Sequence, residues 1–224
     1  MKINTKPIGE HLDDLETLAG AYMESYRAVS AGYKDPIEMM RYTYPYFIDR
    51  IRKFSKEKMV FVLSDDNEPI GFARFNGIPD HYKTNGTHCA MEIKELNGFE
   101  YQFMRRIEFS QNAPNLTDKT AILNQIYLKP SFQHQGLGGL LVSAALREIG
   151  AKYKNLIVEY NINNTQSQRF YSKKLGMRKV AETIDFDHIV ESQDGKNIPL
   201  YLSITGISYA PINSILSRTT ERSK

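Results

Sequence analysis

Cysteine is nearly missing from this 224-residue chain, with Cys89 its only representative. One thiol excludes an intramolecular disulfide and any zinc site built on several thiolates, and it fits a reducing compartment. Long apolar runs are missing too: none approaches the roughly 20 residues that span a bilayer, and the first residues lack the apolar core of a secretory signal. Neither sign of charge dominates. The chain has 29 Lys and Arg against 26 Asp and Glu, a formal net charge of +3. Without a long basic block, no nucleic-acid partner and no membrane are expected. His81 and His88 lack paired ligand spacing, so no metal is expected either. Internal repeats and low-complexity linkers are absent. These absences lead us to expect a cytoplasmic protein with a single domain over 1–210. They also place an insertion at about 77–119 and a polar, fraying tail at 211–224 that ends "SRTTERSK".

What is present is a mixed order of helical and strand-like segments. Leu12, Leu15, Leu18 and Tyr22 recur at helical spacing. Asp35-Pro36 reads as a second helix start, with Met39, Met40, Tyr44 and Phe47 on its apolar face and Pro45 as a break. "MVFVLSDDNEPIGFARF" predicts a hairpin, and Asn97-Gly98 predicts another within the insertion. "AILNQIYL" is a strand, Leu141, Val142, Ala145, Leu146 and Ile149 form a one-sided helical stripe, and "NLIVEYNI" is a further strand. A short helix follows in "NTQSQRFYSKKLG", with Asn164 at its start and Gly176 after its end. Two strands, "MRKVAETIDFDHI" and "NIPLYLSITGI", close the pattern. The fold class is α/β (α+β mixed): a mostly antiparallel sheet around one parallel strand–helix–strand unit, with flanking helices.

Between "AILNQIYL" and the helical stripe stands "KPSFQHQGLGGLL", with Gly136, Gly138 and Gly139 where a helix must begin. Glycine there admits unusual dihedrals and lets a ligand come close to the backbone. The unsatisfied amides of a helix N-terminus favour an anion, so the pattern points to a phosphate-bearing ligand. A nucleotide P-loop requires Lys and Ser or Thr after its last glycine, but Gly139 and Leu140 follow Gly138. A dinucleotide loop requires glycine where Leu141 stands; Glu159, at the interval of a ribose-binding acid, keeps that rival open.

Gln133-His134-Gln135-Gly136-Leu137-Gly138 matches Gln/Arg-x-x-Gly-x-Gly at every fixed position, and Asn164, Phe170, Tyr171, Leu175 and Gly176 follow at matching offsets. Over about 121–180 the chain resembles the GNAT superfamily of N-acetyltransferases. It departs at Ser167, where alanine is usual, and at Met177, where an aromatic is usual. The resemblance implies acetyl-CoA as cosubstrate, with its diphosphate on the amides of Gln133, His134, Gln135, Gly136, Leu137, Gly138 and Gly139 and its pantetheine along Ile126, Tyr127 and Leu128. Asn164 and Tyr171 would also contact it. Tyr171 is the implied general acid, since a phenol titrates near ~10 and a thiol near ~8.5.

The strand before the loop has Asn124 and Gln125 but no acid, so Glu92, Glu108, Glu159 or water are candidates for the base. The acceptor would be an amine of a small molecule or a protein. Its site is expected among Tyr22, Tyr26, Tyr33, Tyr42, Tyr44 and Tyr46 and the insertion, although helix packing against the sheet is the favoured reading for most of these rings. Pairing of the closing strands across a homodimer is a further expectation. Two other functions stay open: a non-catalytic acyl-CoA-binding sensor or interaction module, and a nucleotide-dependent oxidoreductase.

Overall fold

Val60, Phe61, Val62 and Leu63 are consecutive and all buried, which a strand achieves only when both of its faces are covered. The computed structural model describes residues 3–8, 15–30, 43–54, 56–57, 59–66, 68–83, 87–96, 99–189 and 201–221. In it these residues belong to strand β2 (Val60–Asp65). Val60 and Val62 pack with Leu18, Phe47, Ile51 and Phe54 of helices α1 (Leu15–Ser30) and α2 (Tyr44–Phe54). Phe61 and Leu63 turn to the opposite layer, made by helices α3 (Leu137–Ile149) and α5 (Ile212–Glu221).

The other strands are β1 (Ile3–Pro7), β3 (Glu68–Gly77), β4 (Thr87–Leu96), β5 (Phe99–Phe109), β6 (Thr120–Leu128), β7 (Asn155–Asn161), β8 (Arg178–Ile189) and β9 (Tyr201–Pro211). Among the described residues they form one nine-stranded sheet in the order β1-β2-β3-β6-β7-β9-β8-β5-β4. Only β6 and β7 run parallel, joined by the α3 crossover; the other pairings are antiparallel. The expected fold class is therefore the observed one.

The insertion is a hairpin in which Leu96 faces Phe99; its Asn97-Gly98 turn lies outside the described residues. It does not separate β3 from β6, which pair directly, but crosses the molecule to add β5 and β4 beyond β8. A third apolar cluster, with Tyr82, Ile107, Leu116, Ile122, Ile157 and Ile207, fills the space beneath it.

Three expectations are corrected. Pro45 does not break a helix but stands in the first turn of α2, where a missing N–H costs nothing; residues 31–42, including Asp35-Pro36, lie outside the described residues. The stretch expected as a polar tail is helical over Ile212–Glu221, because Ile212 and Ile215 recur on one face and are both buried against the α3 layer. Among the described residues the closing strands have no free edge for a second copy: β9 lies between β7 and β8, and β8 lies between β9 and β5.

Docking of α5 is directly testable. Ile215 is fully buried, so Ile215→Ala is expected to cost about 2–4 kcal/mol in denaturant unfolding. A frayed segment would give a change below about 0.5 kcal/mol.

Candidate active site

Pairing between β6 and β7 stops early. It runs from Thr120–Asn155 to Leu123–Val158 and goes no further. The cause is a bulge on the other side of β6, where Arg74 faces Gln125 and Phe75 faces Leu123, leaving Asn124 without an opposite residue. Such a bulge bends the strand and raises its twist. Beyond Leu123, β6 follows β3 away from β7, and the sheet opens into a fork.

The fork leaves backbone groups exposed along one edge of β6. Lys129 N–H donates to Ile70 O at 2.8 Å, so by strand alternation Tyr127 also turns its amide and carbonyl to β3. Ile126 and Leu128 then turn theirs into the gap. The Leu128 carbonyl already accepts from the hydroxyl of Ser25 on α1 and from Gln133 Nε2, the latter at 3.0 Å. Of the main chain of Ile126, Tyr127 and Leu128, the groups of Ile126 and the Leu128 amide thus face the gap, while those of Tyr127 face β3.

The glycines of the loop have separate duties. Gly136 has φ +84° and precedes the first turn of α3, and His134 is also left-handed at φ 62°. A side chain at Gly136 or Gly139 would meet nothing within 4 Å, so both face open space. A Cβ at Gly138 would come within 3.3 Å of the Phe170 ring; that glycine serves packing. Gly139 and Leu140 N–H both bond to Gly136 O, at 3.0 and 3.3 Å. The amides of Leu137 and Gly138 have no carbonyl within the helix to reach. They point out of the helix end, where the macrodipole adds positive potential.

These parts line one cleft of about 850 Å³. The expected residues Ile126, Tyr127, Leu128, Gln133, His134, Gly136, Gly138, Gly139 and Tyr171 all lie on its wall. Three others serve differently through their side chains. Gln135 Nε2 folds back to Ser131 O at 2.9 Å, Leu137 is buried in the core, and Asn164 caps helix α4 (Thr165–Arg169) by accepting from Ser167 N at 2.9 Å. Gln133 spans the loop, accepting from Gln166 Nε2 at 3.4 Å while it holds the Leu128 carbonyl.

Sequence reasoning missed Ser25, Gln166, Arg169, Lys173 and Lys174 on this wall. The cations stand on α4 and the wider helical turn that continues it over Phe170–Lys174. Their spacing in "RFYSKK", within about one turn of Arg169, was the available signal. Among the described residues, three cations and no carboxylate line the cleft, so it suits a polyanion. Tyr171, on the same turn, is buried, with its ring 5.5 Å from that of Tyr160 on β7.

A family model described as "Acetyltransferase (GNAT) family" matches residues 16–177. The chain belongs to this family. Among solved structures, a PaiA N-acetyltransferase from Thermoplasma acidophilum in complex with coenzyme A is similar at 16% identity and TM-score 0.55, over 94% of this chain and 99% of that one. An N-acetyltransferase from Staphylococcus aureus Mu50 gives 15%, 0.54, 95% and 99% on the same measures. The structure of yncA from Salmonella typhimurium with its cofactor acetyl-CoA gives 14%, 0.51, 95% and 95%. No curated protein sequence matches the chain.

Where β6 and β7 part in this GNAT fork lies a smaller pocket of about 230 Å³, with Asn124, Glu159, Tyr160 and Thr205 on its wall. Of the acids considered as bases, Glu159 alone is there among the described residues. Glu108 is on β5, paired with Arg106, and Glu92 is on β4, the outermost strand. Glu159 is heavily engaged. It accepts from Tyr82 Oη at 2.5 Å and Thr205 Oγ1 at 2.8 Å, and Arg105 approaches its two oxygens at 3.3 and 3.4 Å. Four donors on two oxygens fill the carboxylate's usual lone-pair positions. Tyr82 and Arg105 both come from the insertion, which thus reaches the smaller pocket through Glu159.

Of the tyrosines expected near an acceptor, Tyr33 and Tyr42 lie outside the described residues. Tyr22 is buried in the α1–α2 core, edge-on to Phe47 at 4.8 Å and to Phe72 at 5.2 Å. Gln125 Nε2 donates to its hydroxyl at 2.5 Å, which ties α1 to β6 just past the bulge.

Two outcomes follow from these contacts. Arg105 and Glu159 are both mostly buried, with side chains 22% and 18% exposed, so Arg105→Met is expected to cost about 1–3 kcal/mol by leaving a carboxylate short of donors. Pairing that change with Glu159→Gln should recover part of the loss in a double-mutant cycle. The Tyr22 phenol is pushed up to about 12 by burial, with Tyr46 beside it adding to the shift. Its folded-state value is raised, so its contribution is complete below pH ~10 and is lost as pH rises from ~10 to ~12, on the order of 2–3 kcal/mol. Unfolding titrations above pH 9 should show this slope, and Tyr22→Phe should flatten it.

Proposed function

We propose that this protein moves the acetyl group of acetyl-CoA to a primary amine of a small molecule or a protein, by direct attack of the amine on the thioester. One observation carries the reading: an open helix N-terminus, two glycines facing free space and three cations share one cleft wall with Tyr171. The cleft, at about 850 Å³, is of the size that small-molecule sites occupy. Its fit to coenzyme A rests on charge and on space. The amides of Leu137 and Gly138 can meet a diphosphate where a Cβ at Gly136 or Gly139 would otherwise stand, and Arg169, Lys173 and Lys174 supply countercharge.

Acetyl-CoA supplies the activated acyl group: a C–N bond forms, the C–S bond breaks, the nitrogen loses a proton and the sulfur gains one. The chain's own residues prepare this exchange. The free edge of β6 at Ile126 orients the acyl carbonyl and offers an amide to the oxygen as its charge develops. Tyr171 holds the proton destined for sulfur. Glu159, with its lone pairs already taken, keeps Tyr82, Arg105 and Thr205 in place, and the amine's proton leaves through water in the smaller pocket.

A second reading, an acyl-CoA-binding module without catalysis, draws support from the absence of an acid on β6 and from this commitment of Glu159. The two separate cleanly. Coenzyme A and acetyl-CoA should raise the melting temperature while NAD leaves it unchanged, because only a ligand of the native state stabilises it. Thiol release from acetyl-CoA with a panel of amines then decides for catalysis; binding without release decides for the module. Tyr171→Phe is expected to lower kcat by about 10²-fold or more with little change in the KM for acetyl-CoA. Unaltered turnover would remove Tyr171 from the reaction.

A further inference from the structure

Tyr160 stands on β7 two residues past the last β6–β7 pair, where the fork has opened. Its ring walls one cavity and packs against a ring that walls the other. It lines the pocket of about 230 Å³ on one side, and on the other it lies 5.5 Å from the ring of Tyr171, which lines the cleft of about 850 Å³. The ring is fixed from behind. Gly206 on β9 pairs with Tyr160, and a Cβ there would come within 2.9 Å of the ring and 3.0 Å of its oxygen. Ser208 Oγ donates to that oxygen at 3.3 Å. A glycine makes the bed, a serine holds the tip, and the Tyr171 ring packs tilted beside it.

We propose that Tyr160 limits the acyl chain this protein accepts, acting as the end wall of the acyl site. The inference rests on the acetyl-CoA reading above and deepens it. A thioester brought along β6 to Tyr171 has its acyl carbon in the fork, and the next atoms of a longer chain run into the Tyr160 ring. A well-packed ring yields little, since protein interiors have the density of organic crystals and a misfit of one methylene is felt. Beyond the ring lies free volume beside Leu123 and Asn124. Removing the ring joins that volume to the cleft and gives a longer chain somewhere to go. Specificity for a short acyl group thus comes from one side chain and from the glycine that lets it lie flat.

Calorimetric titration of the full chain with coenzyme A, acetyl-CoA and butyryl-CoA tests this without knowledge of the acceptor. Coenzyme A carries no acyl group, so its Kd is the reference for each variant. In the wild type, acetyl-CoA should bind about tenfold or more tightly than butyryl-CoA, the low end of what a misfit methylene costs. Tyr160→Ala should bring the two within about threefold. Tyr160→Phe, which keeps the ring and loses the hydroxyl, should retain the wild-type ratio, and Tyr160→Leu serves in place of the alanine variant should that one fail to fold. A merely structural tyrosine would weaken all three ligands together and leave the ratio where it was. An unchanged ratio in a folded alanine or leucine variant, or equal affinities in the wild type, overturns the assignment of Tyr160. No affinity for coenzyme A in the wild type overturns the acetyl-CoA reading itself, and this proposal with it.

Discussion

The early end of pairing between β6 and β7 is the constraint on which the site depends. A parallel pair normally continues until one strand stops. Here the bulge at Asn124 bends β6 out of register with β3, and the gap that results has unpaired main chain on one side and Glu159 and Tyr160 on the other. An open strand edge inside a sheet is unfavourable unless something satisfies it. Ser25 and Gln133 satisfy the Leu128 carbonyl, which leaves the neighbouring groups for a ligand. The cleft and the smaller pocket are both consequences of that divergence.

The glycine loop shows how one short motif divides its labour. Gly136 supplies the left-handed turn, Gly139 leaves room above the helix end, and Gly138 lets Phe170 pack against α3. The polar residues of the motif mostly hold the loop together: Gln133 reaches Leu128 O and Gln135 reaches Ser131 O. Positive potential comes from the helix amides and from cations contributed by a different element, α4 and its continuation. Separating shape from charge in this way lets the loop be built by residues that carry no charge at all.

Much of this was legible in the residue pattern, because the governing signals are local. The hairpin of β2 and β3, the α3 stripe, the Asn164 cap and the Gly176 stop each follow from a few neighbouring residues. The glycine spacing likewise carried the family. What was not legible depends on long-range placement. Nothing in the stretch between β3 and β6 states that its hairpin will pair with β8, or that Arg105 and Tyr82 will meet Glu159. The amphipathic face of α5 was hidden by its serines and threonines, whose polarity reads as a loose end, although Ile212 and Ile215 lie one turn apart on the buried side. Ser25 was invisible for the same reason: one serine on an amphipathic helix acquires meaning only from the carbonyl it faces.

The position of β9 has a consequence for the order of assembly. It lies between β7 and β8, both of which precede it in the chain, and it provides Thr205, Gly206 and Ser208 behind Glu159 and Tyr160. During vectorial synthesis β7 must wait with one side uncovered until this later segment leaves the ribosome, since domains settle only as their partners emerge. The glycine loop and α3 can consolidate beforehand from nearby residues. The nascent molecule would thus acquire its glycine loop well before its far wall, and a chain halted before residue 201 would present half a fork.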